Sequence, residues 1–135
     1  MVVVHDGARP FADSGLVSEV VQRATQHRAA IAAVPVKDTV KEVGPQAIVV
    51  RTIPRHRLWA AQTPQAFVQA VLSDAHRQAE AAGFVGTDDA ELVERFCGVM
   101  PFVVEGSYEN IKITTPEDLI VAQQMLAGRV PAERV

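Results

Sequence analysis

The residues best suited to chemistry are polar and charged side chains that follow short apolar runs. His5, Asp6 and Arg9 come directly after the run Met1–Val4. If that run is a strand of an open α/β sheet, its carboxyl end is where ligands bind. A carboxylate such as Asp6 suits Mg2+ or a sugar hydroxyl, because Mg2+ takes few protein carboxylates and shares its other positions with phosphate oxygens. Arg9 offers a planar fork that matches phosphate. The commoner explanation of this spacing is a capped turn with an Asp–Arg surface pair. His5 reads as a packing or hydrogen-bonding residue rather than a base. Lys37, Asp38 and Thr39 lie beyond a second apolar run, Ala29–Val34. Thr39 could donate to a ligand hydroxyl or phosphate, or simply occupy a hairpin face. Arg51, Arg55, His56 and Arg57 form the densest basic stretch, either a solvated face or an anion-binding loop. Lys112 sits between Ile111 and Ile113 and must carry its ammonium to water, a carboxylate or a phosphate. Thr87, Asp88 and Asp89 read first as a helix start. Trp59, Phe67 and Cys97 read as core.

Other chemistries lack their residues. The chain has no Gly-x-Gly-x-x-Gly, no Walker A pattern, no His-Glu-x-x-His and no Cys-x-x-Cys. A Gly-x-Ser-x-Gly elbow is also missing. Neither nucleophilic catalysis nor zinc chemistry is supported.

The elements that must position these residues follow from length and pattern. The 135 residues are 48% hydrophobic and 21% charged, the usage of one globular domain spanning 1–135. Thirteen Lys plus Arg against sixteen Asp plus Glu leave a net charge of −3, so an anion must be held by a local cluster, not by a general nucleic-acid coat. The single cysteine fits a reducing, cytoplasmic setting. No apolar run reaches the roughly 18 residues of a membrane span, and the start lacks a signal peptide's basic region.

Met1–Val4 predicts a parallel strand buried on both faces. Such a strand at the start of a chain suggests a fragment, since termini usually lie outside. Asp13 or Ser14 caps a helix to about Arg28, with Leu16, Val17, Val20, Val21 and Ala24 as its apolar stripe. Ala29–Val34 closes a βαβ unit. Around Gly44-Pro45, the segments Val36–Val43 and Ala47–Ile53 predict a hairpin, which must lie against its own domain or a second subunit because a lone hairpin is marginal. Leu58–Gln62 predicts a short strand. Thr63-Pro64 then starts a helix as cap and first position, which Gly83 stops. Thr87 caps a shorter helix ending at Gly98, Phe102–Val104 is a strand, and Thr115-Pro-Glu-Asp118 is a capping box for a helix to Leu126. The tail Arg129–Val135 is expected to fray.

These segments, in order, resemble one family. His5-Asp-Gly-Ala-Arg9-Pro10 is similar to its His-Asp-Ala-Ala-Arg-Pro signature, with Gly7 as a departure that loosens the turn. Val34-Pro-Val-Lys-Asp-Thr39, Leu58-Trp-Ala-Ala-Gln-Thr-Pro-Gln65 and Thr87-Asp-Asp-Ala90 follow. Asn110-Ile-Lys-Ile-Thr114 and Pro116-Glu-Asp118 complete the set. The family is 2-C-methyl-D-erythritol 4-phosphate cytidylyltransferase, of the non-mevalonate route to isoprenoids. The resemblance implies a Rossmann-like α/β fold of the nucleotide-diphospho-sugar transferase type, here partial, with a protruding β-arm over about 36–58 and a homodimer formed through it. It implies CTP and 2-C-methyl-D-erythritol 4-phosphate as substrates and Mg2+ as cofactor. By carry-over, Asp6 would sit at the metal and substrate hydroxyls, and Arg9, Thr39, Thr63 and Thr87 would bind substrate. Arg55 and Lys112 would act on the phosphate, Arg55 from a neighbouring subunit, although Pro54-Arg55-His56 departs from the family pattern. The family's Gly-rich basic loop for the CTP phosphates has no counterpart in this sequence, so the chain alone is expected to be inactive. Ribitol-5-phosphate cytidylyltransferase, with its Asp-x-x-Arg-Pro turn, is the enzyme alternative. A non-catalytic binding or dimerisation fragment is the other.

Overall fold

The protein, seen as a computed structural model, is described over residues 1–129. Its elements are β1 (Val2–Val4), α1 (Ser14–His27), β2 (Ala29–Pro35), β3 (Val40–Val43), β4 (Val49–Ile53), a 3-10 turn (Arg55–Arg57), β5 (Trp59–Phe67), α2 (Gln69–Ala81), α3 (Asp89–Cys97), β6 (Phe102–Glu105) and α4 (Pro116–Arg129). The expected fraying of the tail falls outside the described residues, save that the backbone of Arg129 closes α4.

The core is a four-stranded sheet in the order β1-β5-β2-β6. Strand β2 alternates between two layers, as a period of two requires. Ala30 and Ala32 join Val20 and Ala24 of α1, with Ala66 and Val104. Ala29 and Ile31 face the opposite layer, where Phe67 meets Val71, Leu72 and Ala75 of α2 and Leu92 and Val93 of α3. The alanines of β2 are all 1% exposed or less, and their small side chains let α1 lie close on the sheet. Full burial of Phe67 removes a large ring from water, a contribution of about 1.5–3 kcal/mol.

Helix limits follow the local chemistry. Asp13 caps α1 by accepting from the Leu16 N–H at 2.8 Å. Gly83 after α2 and Gly98 after α3 take φ near +60°, which a side chain would resist. The capping box of α4 forms as expected: the Thr115 hydroxyl accepts from Asp118 N–H at 3.2 Å and Asp118 accepts from Thr115 N–H at 2.9 Å. Helix α3 starts one residue later than expected, with Asp88 rather than Thr87 as its cap, accepting from Glu91 N–H at 2.8 Å. The Glu91 carboxylate reaches back to Thr87 N–H at 2.6 Å, so the box is reciprocal but shifted.

Four expectations fail in and beside β5. Thr63-Pro64 does not start a helix: β5 runs on to Phe67 through a cis Thr63-Pro64 bond, and α2 begins at Gln69 with no side-chain cap. Proline is tolerated inside this strand because the ladder is interrupted there. Ala61 pairs with Ala33 and Gln65 with Ile31, so Gln62, Thr63 and Pro64 together oppose Ala32. Because β5 continues, it pairs antiparallel with β1 on one side and β2 on the other, and only β2 and β6 are adjacent and parallel. The sheet is therefore mixed. Strand β1 is not buried on both faces: Val2 and Val4 pack toward α2 and α3, but Val3 is 40% exposed. Trp59, read as core, is 42% exposed at the outer end of β5.

Strands β3 and β4 form a separate antiparallel pair. The turn at Gly44-Pro45 is as expected, with Gly44 N–H donating to the Ile48 carbonyl at 2.9 Å. Nothing among the described residues covers either face: Val43, Ile48, Val49 and Val50 are all more than half exposed.

Candidate functional site

The end of β1, the bulge in β5, the start of α3 and the loop before α4 converge on one pocket of about 280 Å3. The turn after β1 contributes Asp6 and Arg9, the bulge contributes Gln62 and Thr63, and Gln65 follows it in β5. Thr87 and Asp88 enter from the start of α3, and Lys112 from the last loop. A bulge is a usual device for re-aiming side chains at a site, and here it brings two polar groups of β5, Gln62 and Thr63, to one cavity.

The centre of the pocket is an ion pair. Lys112 Nζ lies 2.8 Å from Asp6 Oδ2, while Asp6 Oδ1 accepts from Ala8 N–H at 3.1 Å. The Lys112 hydrogen bond, followed by that from Ala8, holds the Asp6 carboxyl below its ordinary value. Lysine thus finds one of the three partners open to it in an apolar run. Arg9 is half-buried; burial lowers its pKa and the Asp6 charge opposes that shift. Its Nη1 donates to the Asn110 carbonyl at 2.6 Å. The turn is further tied by a short relay. His5 Nε2 faces the Arg9 carbonyl at 3.0 Å and must donate to it. In the neutral ring Nδ1 is then the acceptor for the Thr63 hydroxyl at 3.0 Å, and that hydroxyl in turn accepts from Asp6 N–H at 3.0 Å. His5 is thus a hydrogen-bonding residue, as its sequence context indicated. One lone pair of the Thr63 hydroxyl stays open to a ligand.

Of the site residues named from the sequence, the fold brings Asp6, Arg9, Thr63, Thr87 and Lys112 together. Thr39 and Arg55 are not among the groups lining the pocket. Both are exposed at the root of the β3–β4 hairpin, where Arg55 Nη1 donates to the Lys37 carbonyl. Lys37 itself lies over the Tyr108 ring at 3.4 Å, so Arg55 and Tyr108 both hold the segment at the hairpin root. Cys97 is partly buried, with its thiol near the Val71 carbonyl at 3.4 Å, and burial raises its pKa.

Gln62, Gln65, Asp88 and Asn110 received no site role from the sequence. Gln65 Nε2 donates to Asp88 Oδ2 at 2.9 Å and thereby joins β5 to α3. Both glutamines are 7% exposed or less inside β5 and so need polar partners, but with the strand read only to Gln62 the sequence carried no such signal for Gln65.

The donor set limits what metal could be held. Among the described residues no group of three or more His, Cys, Asp or Glu forms a metal cage. Asp6 keeps a free lone pair on each oxygen, which fits a hard cation held by one carboxylate and sharing phosphate oxygens.

The chain is similar to proteins of one family. The family described as IspD: 2-C-methyl-D-erythritol 4-phosphate cytidylyltransferase matches residues 1–128. The proteins of that name from Bacillus licheniformis and Pelotomaculum thermopropionicum are 52% and 54% identical, over 99% and 96% of this chain. The crystal structure of the enzyme of that name from Thermus thermophilus superposes with a TM-score of 0.84 at 40% identity, covering 93% of this chain and 61% of that one. The 4-diphosphocytidyl-2C-methyl-D-erythritol synthase of Anaerococcus prevotii gives 0.87 at 38%, covering 93% and 56%. The chain spans 57% and 54% of the length of the two curated relatives. The fold is the Rossmann-like α/β fold of these structures. With its first 128 residues matched and half of its positions shared with such relatives, the chain belongs to the 2-C-methyl-D-erythritol 4-phosphate cytidylyltransferase family.

Proposed function

We propose that this chain is the acceptor-binding and dimer-arm part of a cytosolic enzyme that transfers CMP from CTP to 2-C-methyl-D-erythritol 4-phosphate and releases pyrophosphate. The observation that carries this reading is the convergence of Asp6, Arg9 and Lys112 on one pocket flanked by Thr63 and Thr87. In the reaction, a phosphate oxygen of the acceptor attacks the α-phosphorus of CTP, a new P–O bond forms, and the bond to the β-phosphate breaks. The nucleophile is already an anion, so no general base is needed, consistent with His5 being committed to the turn. Catalysis is positioning plus neutralisation of charge. Lys112 and Arg9 bring positive charge to the acceptor phosphate, while Thr63 and Thr87 orient its hydroxyls. Mg2+, with Asp6 as its protein ligand, would supply charge neutralisation at the transferred phosphoryl group. Thr39 and Arg55, at the root of an uncovered hairpin, serve the site of a second subunit. The CTP phosphates require a Gly-rich loop that these 135 residues do not contain.

Calorimetry with separate ligands tests the reading. The expected result is binding of 2-C-methyl-D-erythritol 4-phosphate, weaker binding of ribitol 5-phosphate and no binding of CTP. A preference for ribitol 5-phosphate would replace the acceptor, and binding of neither polyol phosphate would leave a non-catalytic module.

A further inference from the structure

We infer that Asn110 is a positioning residue, whose buried amide clamps the loop before α4 to the bulge of β5 so that Arg9 and Lys112 are presented together to the acceptor phosphate; this rests on the function proposed above. Asn110 is 1% exposed, among the most deeply buried polar side chains described. Its Nδ2 donates to the Thr63 carbonyl at 2.8 Å and to Gln62 Oε1 at 3.3 Å. Both acceptors lie on the three residues that oppose Ala32, so the clamp grips β5 where its ladder is broken. The far side of the same residue holds a cation: the Asn110 carbonyl accepts from Arg9 Nη1 at 2.6 Å. Lys112 follows two positions later, and Ile113 N–H donates to the Ala8 carbonyl at 2.8 Å, which ties the loop to the turn that carries Asp6 and Arg9.

The surroundings are shaped to admit this contact. Gln62 Nε2 donates to the Ser107 carbonyl at 2.9 Å, which turns its Oε1 toward Asn110. Gly106 leaves the room: a Cβ there would press into Gln62 Oε1, well inside contact distance. Arg9 Nε and Asn110 Oδ1, on the two residues that the clamp joins, are buried with no hydrogen-bond partner among the described residues.

The test is a double-mutant cycle on the 135-residue chain, read by calorimetry with 2-C-methyl-D-erythritol 4-phosphate and by side-chain nitrogen NMR of Arg9 without ligand. Asn110→Ala and Arg9→Ala are each expected to weaken binding about tenfold, and the double variant to be within about threefold of Arg9→Ala alone, because Asn110 acts through Arg9. The ligand-free Arg9 guanidinium resonances are expected to move in Asn110→Ala. Losses that multiply in full, or unchanged Arg9 resonances, would overturn the inference. If Asn110→Ala does not fold, Asn110→Ser runs the same cycle. If the wild type binds no polyol phosphate, the proposed function falls, while the ligand-free Arg9 resonances still decide the role of Asn110.

Discussion

Lys112 and Asp6 form a charge-balanced pair at the centre of the pocket. Half-exposed ion pairs add little to stability, so replacing Lys112 is expected to leave the fold intact. In the proposed function Lys112 donates to the acceptor phosphate, so Lys112→Ala should weaken that binding by about 10- to 100-fold in calorimetry. Because Lys112 is the leading cause of the depressed Asp6 pKa, the same variant should move the Asp6 carboxyl up toward an ordinary aspartate, as read by NMR titration. The sign for stability follows from the direction. A carboxyl whose folded pKa lies below its unfolded value contributes stability that is present above the unfolded pKa of about 3.9 and is lost as pH falls through the folded one. Asp118, lowered first by the Thr114 N–H bond and then by that of Thr115, acts in the same direction at the start of α4. Urea melts are therefore expected to show stability falling below about pH 4 in the wild type, with a shallower fall in Asp118→Asn.

At the scale of elements, the pocket depends on two joints that are also helix and strand limits. Asp88 caps α3 with one oxygen and holds Gln65 with the other. Asp88→Ala removes both, and a loss of about 1–2 kcal/mol in chemical denaturation is expected from the cap alone. The second joint is Gly106. Gly106→Ala forces Gln62 away from Asn110, with a cost of about 1–3 kcal/mol expected for a group overpacked against a buried neighbour. Most helices were legible in the chain because apolar spacing, Gly83, Gly98 and the Thr115–Asp118 box are local signals. Strand β5 was not legible beyond Gln62. Thr-Pro is a strong local helix start, and only pairing with β1 and β2 on both sides carries the chain through it as a strand.

For the whole molecule, the β3–β4 hairpin is the feature a single chain does not explain. A solvated two-stranded sheet with Ile48 and Val50 more than 60% exposed gains little from its own contacts. Self-association through this arm is the expected outcome. Sedimentation should show a dimer that Ile48→Lys with Val50→Lys shifts to monomer, with far-UV circular dichroism unchanged. A monomeric wild type would remove the arm from the proposed function, and with it the roles of Thr39 and Arg55. The purified chain is expected to produce no pyrophosphate from CTP and the acceptor, whatever its oligomeric state.

The sequence by itself determined the α/β class, the ends of α2 and α3 at Gly83 and Gly98, the capping box of α4, the hairpin and the identity of the charged residues at strand ends, because each is written in neighbours a few positions apart. It also carried the ordered segments that mark the family. Tertiary structure alone decided that Asp6 and Lys112, more than a hundred residues apart in the chain, are in contact, and that the sheet is mixed. It also decided that Asn110, unremarkable in its segment, joins Arg9 to the bulge of β5. Those facts depend on strand order and register, and register is set by which faces are buried across the whole sheet rather than by any local run of residues.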